Sequence, residues 1–139
     1  MPSRSAIATT TGNPDCHIIL RGGHTPNYDA ASVNAASLVA DRAGIRSAIM
    51  IDASHGNSDK NPDKQPLVIE DVSRQIERGD RRIVGVMVES NLLAGRQELV
   101  RGAPLVYGRS ITDACMGWDA SVALLERLAR AAERRRRSQ

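Results

Sequence analysis

The stretch AIMIDASHGN, at residues 48–57, decides the fold, because an apolar run passes there directly into polar residues. The polar part brings an acid, a histidine and a glycine together within a few positions. A short apolar run with this ending is typical of a buried strand in a parallel sheet, which carries functional side chains at its carboxyl end. The stretch therefore predicts a strand that ends at Asp52, followed by a loop that presents His55.

Three further apolar runs repeat this design along the chain. They are CHIIL before Arg21, IVGVMV before Glu89, and PLVYG before Arg109 and Asp113. Segments with helical spacing separate the runs, and strands that alternate with helices indicate a parallel sheet. We therefore predict an α/β fold with about four parallel strands, whose ligands would bind beyond the carboxyl ends of the strands.

The predicted boundaries follow from turn and capping signals in the sequence. Asp29 and Asp119 are N-cap candidates, Pro66 suits the first turn of a helix, and Gly44 and Gly79 suit helix ends. The predicted strands cover residues 16–20, 47–52, 82–88 and 105–107. The predicted helices cover residues 29–43, 66–78 and 120–135.

Length and composition favour one ordinary domain with an aliphatic core. The chain has 139 residues, of which 41% are hydrophobic and 2% aromatic, and it lacks phenylalanine. No apolar run approaches the ~20 residues of a membrane span. Two cysteines, Cys16 and Cys115, do not form a disulfide framework. We therefore expect a cytoplasmic protein with no membrane partner.

The net charge of +3 is modest, and much of the excess lies in the arginines at residues 134–137. A solvated helix end explains such a run, because cations suit the negative end of the helix dipole. Nucleic-acid binding through this tail is the alternative. No aromatic residues interleave the arginines and no second basic patch accompanies them, so we expect no nucleic-acid partner.

His55, Glu89 and Asp113 follow successive predicted strands, so they would meet at one edge of the sheet. One imidazole and two carboxylates could hold a divalent metal, and mixed nitrogen and oxygen ligands suit Mn, Fe, Co or Zn better than Ca. Asp52 could orient the imidazole of His55. The alternative is that each side chain is an ordinary polar group of a loop, hydrogen-bonded to backbone.

Arg21 is the second element of the predicted site. An arginine followed by two glycines at a strand end can approach a phosphate or carboxylate without clashes from Cβ atoms. The alternative is a structural ion pair between Arg21 and either Asp52 or Glu89.

Five stretches together resemble the carboxyl-terminal half of class I 3-deoxy-D-arabino-heptulosonate-7-phosphate (DAHP) synthase, in that family's order and spacing. They are GNPDCHIILRGG, PNYDA, MIDASHGNSDK, IVGVMVESNLLAGRQ and YGRSITDACMGW. The resemblance implies a TIM barrel, of which residues 1–139 would be a partial domain, the C-terminal half of the barrel. An open, doubly wound sheet is the alternative fold, and a reversal in strand order would distinguish it.

The resemblance also implies a function. The family enzyme is a transferase that condenses phosphoenolpyruvate with erythrose 4-phosphate, the first step of the shikimate pathway to chorismate and the aromatic amino acids. His55, Glu89 and Asp113 match three of its metal ligands, and Arg21 matches an arginine that binds the phosphate of phosphoenolpyruvate. The resemblance thus implies that these four residues are catalytic, with the metal acting as a Lewis acid.

Parts of the family pattern do not occur in this sequence. The family's metal-binding cysteine and its lysine–proline–arginine–threonine motif belong to the N-terminal half, and Cys16 and Cys115 match other positions. A half-barrel would have open edges and an uncovered inner face. We therefore expect a homo-oligomer, a complementary N-terminal half as partner, or a truncated gene product. The alternative function is a non-catalytic metal-binding fragment that completes a partner half-barrel.

Overall fold

The computed structural model describes residues 6–13 and 15–138, which form a parallel sheet covered by helices. The strands are β1 (Ile18–Leu20), β2 (Ile49–Asp52) and β3 (Ile83–Met87). The helices are α1 (Ala30–Arg42), α2 (Gln65–Glu77) and α3 (Trp118–Arg137), and a 3₁₀ turn, Pro62–Lys64, leads into α2. The sheet order is β1-β2-β3, with both pairs parallel. The predicted alternation of parallel strands and helices is therefore confirmed.

Local signals account for the starts of α1 and α2. The Asp29 carboxylate accepts hydrogen bonds from the backbone amides of Ala31 and Ser32, both at 3.0 Å. Hydrogen bonds from the Ser32 side chain and backbone lower the pKa of Asp29 from its ordinary value. Pro66 lies in the first turn of α2, where its missing amide hydrogen costs nothing. Both helices begin within a residue of their predicted positions.

Helix α3 differs from the prediction at both of its ends. It begins at Trp118 after Gly117, so the prediction that Asp119 caps it is wrong. Asp119 lies instead in the first turn, where a carboxylate suits the positive end of the helix dipole. At the other end, Arg135 donates from Nη1 to the backbone oxygen of Asp80 at 2.8 Å. The predicted solvated helix end is therefore only partly observed, because Arg135 contacts the turn before β3.

All three helices contribute to one aliphatic core against a single face of the sheet, as the composition predicts. The core contains Val33, Ile49, Ile51, Val68, Ile69, Val72, Ile76, Ile83 and Leu124. Buried area of this kind is the main stabilising contribution to folding. Two ion pairs add to the contact between α2 and α3, because Arg127 lies 2.7 Å from both Glu70 and Glu77.

The opposite face of the sheet has no helix on it within the described residues. Ile19 of β1 is 43% exposed and Met87 of β3 is 38% exposed. In the register of the sheet, Ile19 pairs with Met50, and Met50 alternates with the buried Ile49 and Ile51. The expected uncovered face of a parallel sheet is therefore observed.

The prediction of about four strands is wrong for the described part of the chain, which forms three. Residues 105–107 are not a strand, and the side chain of Gln97 satisfies the backbone of Val106 at their centre. Gln97 Nε2 donates to the carbonyl of Val106 at 2.8 Å, and the amide of Val106 donates to Gln97 Oε1 at 2.8 Å. The segment also lacks a surface to pack on, since Leu105 is 48% exposed and Tyr107 is 88% exposed.

Met116 takes the place beside the end of β3 that the prediction gave to residues 105–107. Its amide donates to the carbonyl of Glu89 at 3.0 Å, and its carbonyl accepts from the amide of Asn91 at 3.0 Å. The strand order is sequential and contains no reversal among the described residues, unlike a doubly wound sheet. None of the helices in that part of the chain is both long enough and apolar enough to cross a bilayer.

Candidate metal centre

Three side chains with metal-ligating atoms meet beyond the carboxyl ends of β2 and β3. His55 follows β2, Glu89 follows β3, and Asp113 lies on the loop that Met116 pairs to β3. One ligand atom from each of the three lies within 4.8 Å of the other two. Their side chains are 24%, 26% and 46% exposed, respectively, so the group is open to solvent on one side. The structure therefore brings together the three residues that the sequence singled out.

The imidazole of His55 is oriented by a buried carboxylate. Its Nδ1 lies 2.6 Å from Oδ2 of Asp52, and its Nε2 lies 3.8 Å from Oε1 of Glu89. This geometry assigns the ring proton to Nδ1, which donates a hydrogen bond to Asp52. The lone pair of the ring is then on Nε2 and faces Glu89. A histidine that ligates a metal typically has this arrangement, with a carboxylate on its other nitrogen.

Asp52 is itself held by its neighbours and is only 2% exposed. Its Oδ1 accepts hydrogen bonds from the amide of Ser54 at 2.8 Å and from the hydroxyl of Ser54 at 2.7 Å. Burial raises the pKa of the Asp52 carboxyl, but the hydrogen bonds from Ser54 and His55 lower it by more. The net pKa is below its ordinary value, so the group stays ionised as an acceptor for His55.

The side chain of Gln65 forms two hydrogen bonds with the backbone of Glu89, a role that the sequence did not reveal. Gln65 is 1% exposed, its Nε2 donates to the carbonyl of Glu89 at 3.2 Å, and its Oε1 accepts from the amide of Glu89 at 2.9 Å. The carbonyl of Glu89 also accepts from the amide of Met116. These bonds fix the direction of Glu89 toward His55. The available signal was a long polar residue at the start of an amphipathic helix, which is weak by itself.

Arg21 is exposed, and its guanidinium has no ion-pair or hydrogen-bond partner among the described residues. The alternative prediction of a structural ion pair with Asp52 or Glu89 is therefore wrong. Among the described residues, Arg21 forms no hydrogen bond or ion pair with the three metal-site side chains, but its loop contacts the loop of His55. A Cβ added to Gly22 would lie 2.4 Å from the backbone carbon of Gly56, so only glycine permits this approach.

Asn57 joins the same two loops by hydrogen bonds. Its Nδ2 donates to the carbonyl of Leu20 at 3.0 Å and to the carbonyl of Asp52 at 2.7 Å. Its Oδ1 accepts from the amide of Asn27 at 2.8 Å. Asn57 is 4% exposed, so these bonds are shielded from water. They hold the loop of Arg21 in a constant position relative to the loop of His55.

Lys60 lies beside the group in an unusual backbone conformation. Its φ is +57°, that of Asp59 is +53°, and these are the non-glycine residues with positive φ in the described part of the chain. Its Nζ lies 3.9 Å from Oδ1 of Asp113. The left-handed conformation costs about 1–2 kcal/mol per residue, whereas an exposed ion pair contributes about 0–1 kcal/mol. The ion pair alone therefore does not offset the conformation.

The donor set fits a divalent transition metal. His55 offers one imidazole nitrogen, and Glu89 and Asp113 each offer carboxylate oxygens. Such a mixed set suits Mn, Fe, Co or Zn. Cys115 is buried on the same loop as Asp113, and its Sγ is not one of the ligand atoms that lie within 4.8 Å of one another. It therefore does not extend the donor set.

Comparisons with known proteins identify the family of the chain. A profile of the DAHP synthetase I family matches residues 3–126. The Phe-sensitive phospho-2-dehydro-3-deoxyheptonate aldolase of Escherichia coli is 53% identical over 132 residues, which cover 95% of this chain. The phospho-2-dehydro-3-deoxyheptonate aldolase of Haemophilus influenzae is 50% identical over 135 residues.

A solved structure of phospho-2-dehydro-3-deoxyheptonate aldolase from Francisella tularensis superposes with a TM-score of 0.87 at 44% identity. The match covers 94% of this chain and 38% of the solved one. The chain likewise spans 38% of the length of the Escherichia coli relative. Because the family profile covers most of the sequence, the chain belongs to the DAHP synthetase I family.

Proposed function

We propose that the chain forms the metal-binding part of a 3-deoxy-7-phosphoheptulonate synthase, an enzyme of the shikimate pathway that condenses phosphoenolpyruvate with erythrose 4-phosphate. The observation that carries this proposal is the convergence of His55, Glu89 and Asp113 within 4.8 Å. Relatives named as phospho-2-dehydro-3-deoxyheptonate aldolases support the reaction class.

Each residue has a separate role in this proposal. His55, Glu89 and Asp113 hold the metal, and Asp52 keeps the proton on Nδ1 of His55 so that Nε2 remains a ligand. A bound divalent cation supplies Lewis-acid polarisation of the aldehyde oxygen of erythrose 4-phosphate. Arg21 binds the phosphate of phosphoenolpyruvate through charge-assisted hydrogen bonds, for which its unpaired guanidinium is free.

The reaction balances without a further reactant. C3 of phosphoenolpyruvate forms a bond to the aldehyde carbon, water adds at C2, and inorganic phosphate leaves with the electrons of its bond to the substrate. Arg21 is positioned on the phosphate that departs, where its charge stabilises the negative charge of the leaving group. The loops that carry Arg21 and His55 are bound to each other, which keeps the two substrates in a constant relative orientation.

The fold in this proposal is the C-terminal half of a TIM barrel, and residues 1–139 are a partial domain. The uncovered sheet face, with Ile19 and Met87 exposed, supports a covering partner. That partner is either a second copy of the chain or a complementary N-terminal half.

The second candidate function is metal binding without catalysis, and the missing metal-binding cysteine of the family supports it. The family's metal-binding cysteine has no counterpart in this sequence, and the chain spans little more than a third of its relatives. The chain would then be a non-catalytic metal-binding subunit that completes a partner half-barrel. It would bind the metal without turning over substrates when tested alone.

Phosphate release distinguishes the two candidates. The purified chain is given phosphoenolpyruvate, erythrose 4-phosphate and Mn²⁺, with and without a chelator. Chelator-sensitive release that is lost in Glu89→Gln but kept in Glu98→Gln supports the enzyme; Glu98 is an exposed control paired with Arg96. Mn²⁺ binding without release supports the second candidate. Absence of Mn²⁺ binding by the folded chain overturns both.

A further inference from the structure

His55, Glu89 and Asp113 are called the metal group below. Within residues 6–13 and 15–138, Lys60 is the one lysine or arginine that forms an ion pair with a member of this group. Its Nζ lies 3.9 Å from Oδ1 of Asp113, and its side chain is 65% exposed. The ammonium group is therefore both beside a ligand carboxylate and open to molecules that approach from solvent.

The local backbone directs Lys60 to this position. The amide of Lys60 donates to the carbonyl of His55 at 3.0 Å, which ties the lysine to the loop of a metal ligand. The preceding residue, Asp59, has the same left-handed conformation and pairs through Oδ2 with Nζ of Lys64 at 2.5 Å. Unfavourable backbone conformations in folded proteins concentrate at functional sites. The conformation at Lys60 is what places its charge at the metal group.

Two charge effects follow from this placement. The ammonium group and a divalent cation compete for the same carboxylate of Asp113, because both are attracted to its negative charge. An ammonium group beside a metal centre is also a hydrogen-bond donor for an anionic ligand that the centre binds. A purely structural ion pair with Asp113 would produce the first effect but not the second.

We propose that Lys60 is an anion-binding residue of this metal centre, which opposes cation binding at Asp113 and donates to a carboxylate or phosphate oxygen of the substrate. This inference rests on the proposed function, since the anion in question is a substrate of that reaction. It assigns a role to a residue for which the ion pair alone gives no explanation.

The test compares Lys60→Met with Lys64→Met in the full chain. Both variants lose one positive charge from the same loop, but Lys64 pairs with Asp59 rather than with the metal group. Calorimetric titration gives the Mn²⁺ affinity, and a second titration of the Mn²⁺-loaded protein gives the affinity for phosphoenolpyruvate. We expect Lys60→Met to bind Mn²⁺ about fivefold tighter and phosphoenolpyruvate about fivefold weaker, the order expected of one charge about 4 Å away in water. Lys64→Met should match the wild-type chain in both.

The opposite signs of the two effects make the test decisive. A lysine that only maintains the loop would weaken both affinities when it is replaced, and that result overturns the inference. An unchanged affinity of Lys60→Met for phosphoenolpyruvate also overturns it, whether or not Mn²⁺ binds more tightly. Inorganic phosphate and pyruvate, titrated in the same way, show whether the phosphate or the carboxylate is the group that loses affinity. Failure of the wild-type chain to bind Mn²⁺ contradicts the proposed function instead.

Discussion

Replacement of Asp52 by asparagine should weaken metal binding without removing any metal ligand. Asp52 Oδ1 faces the backbone amide of Ser54 at 2.8 Å, and Oδ2 faces Nδ1 of His55 at 2.6 Å. The amide of Ser54 cannot reverse its direction, so the carbonyl oxygen of the new asparagine must occupy the Oδ1 position. The NH₂ group then faces His55 and donates to Nδ1. The ring proton must move to Nε2, the nitrogen that faces Glu89 and would ligate the metal.

The expected loss of Mn²⁺ affinity in Asp52→Asn can be worked out from the hydrogen bonds that change. Hydrogen bonds with a charged partner contribute about 1.5–3 kcal/mol and neutral ones about 0.5–1.5 kcal/mol. The difference of about 1–1.5 kcal/mol corresponds to about tenfold in affinity. Loss of the carboxylate partner of a ligating histidine typically costs about 10–100-fold in metal affinity. The two estimates agree, so we expect Asp52→Asn to bind Mn²⁺ at least about tenfold more weakly than the wild-type chain.

Calorimetric titration of Mn²⁺ into the full chain is the assay, with Asp119→Asn as the matched control. Asp119 is exposed at the start of α3, and its replacement changes the net charge by the same amount. Circular dichroism melting curves show whether each variant is folded at the titration temperature. The ¹⁵N chemical shifts of His55 report the position of the ring proton directly.

Two results would refute the reasoning about Asp52. The first is a Mn²⁺ affinity of folded Asp52→Asn equal to that of Asp119→Asn. The second is a weakened affinity with the ring proton of His55 still on Nδ1, which would mean that the loss arises from charge alone. A shift of the proton to Nε2 together with the weakened affinity is the expected outcome.

Three further predictions concern the site and the stability of the chain. His55→Ala should lower Mn²⁺ affinity by at least about tenfold, while His24→Ala, at an exposed histidine of the loop after β1, should not, and equal calorimetric affinities in the two variants would contradict the site. Gly22→Ala should lower the free energy of unfolding by more than the about 1–2 kcal/mol of a left-handed residue, because its Cβ would lie 2.4 Å from backbone, whereas a Cβ at Gly23 meets nothing within 4 Å. Urea unfolding of both alanine variants measures this difference, and equal losses would show that the two loops do not touch. Hydrogen bonds from Arg82 lower the pKa of Asp80 in the folded chain, so its stabilisation is present above the unfolded pKa and lost as pH falls through the lower folded value. Urea unfolding between pH 7 and pH 2 should therefore show a steeper loss of stability in the wild-type chain than in Asp80→Asn, and parallel curves would refute the assignment.

The elements that sequence reasoning predicted well are those with local causes. The Asp29 cap, the proline in the first turn of α2 and the apolar run of β2 act within a few residues, and each element lies where these signals indicate. The segment at residues 105–107 has a strand-like composition, but Gln97 satisfies its backbone from outside the segment. No local pattern reveals such a contact, so the fourth strand was predicted where none forms.

The candidate site shows the same division between local and distant causes. His55 and Glu89 could be predicted because parallel strands end at one edge of a sheet, and both residues directly follow strands. Asp113 reaches the group for a different reason, since Met116 rather than residues 105–107 pairs with Ser90, just beyond the end of β3. Gln65 was missed because its role depends on a distant backbone.

Residue types and short spacings were enough to predict the alternation of strands and helices, the aliphatic core, the metal-site candidates and the family. The three-dimensional structure was needed to show that Nε2 of His55 faces Glu89, that Gln65 holds the backbone of Glu89, and that Lys60 lies beside Asp113. The orientation of His55 depends on the side-chain geometry of Asp52, three positions away, whereas the other two contacts join residues far apart in the chain. Hydrogen bonds act over about 3 Å, so no spacing along the sequence reveals them until the chain has folded.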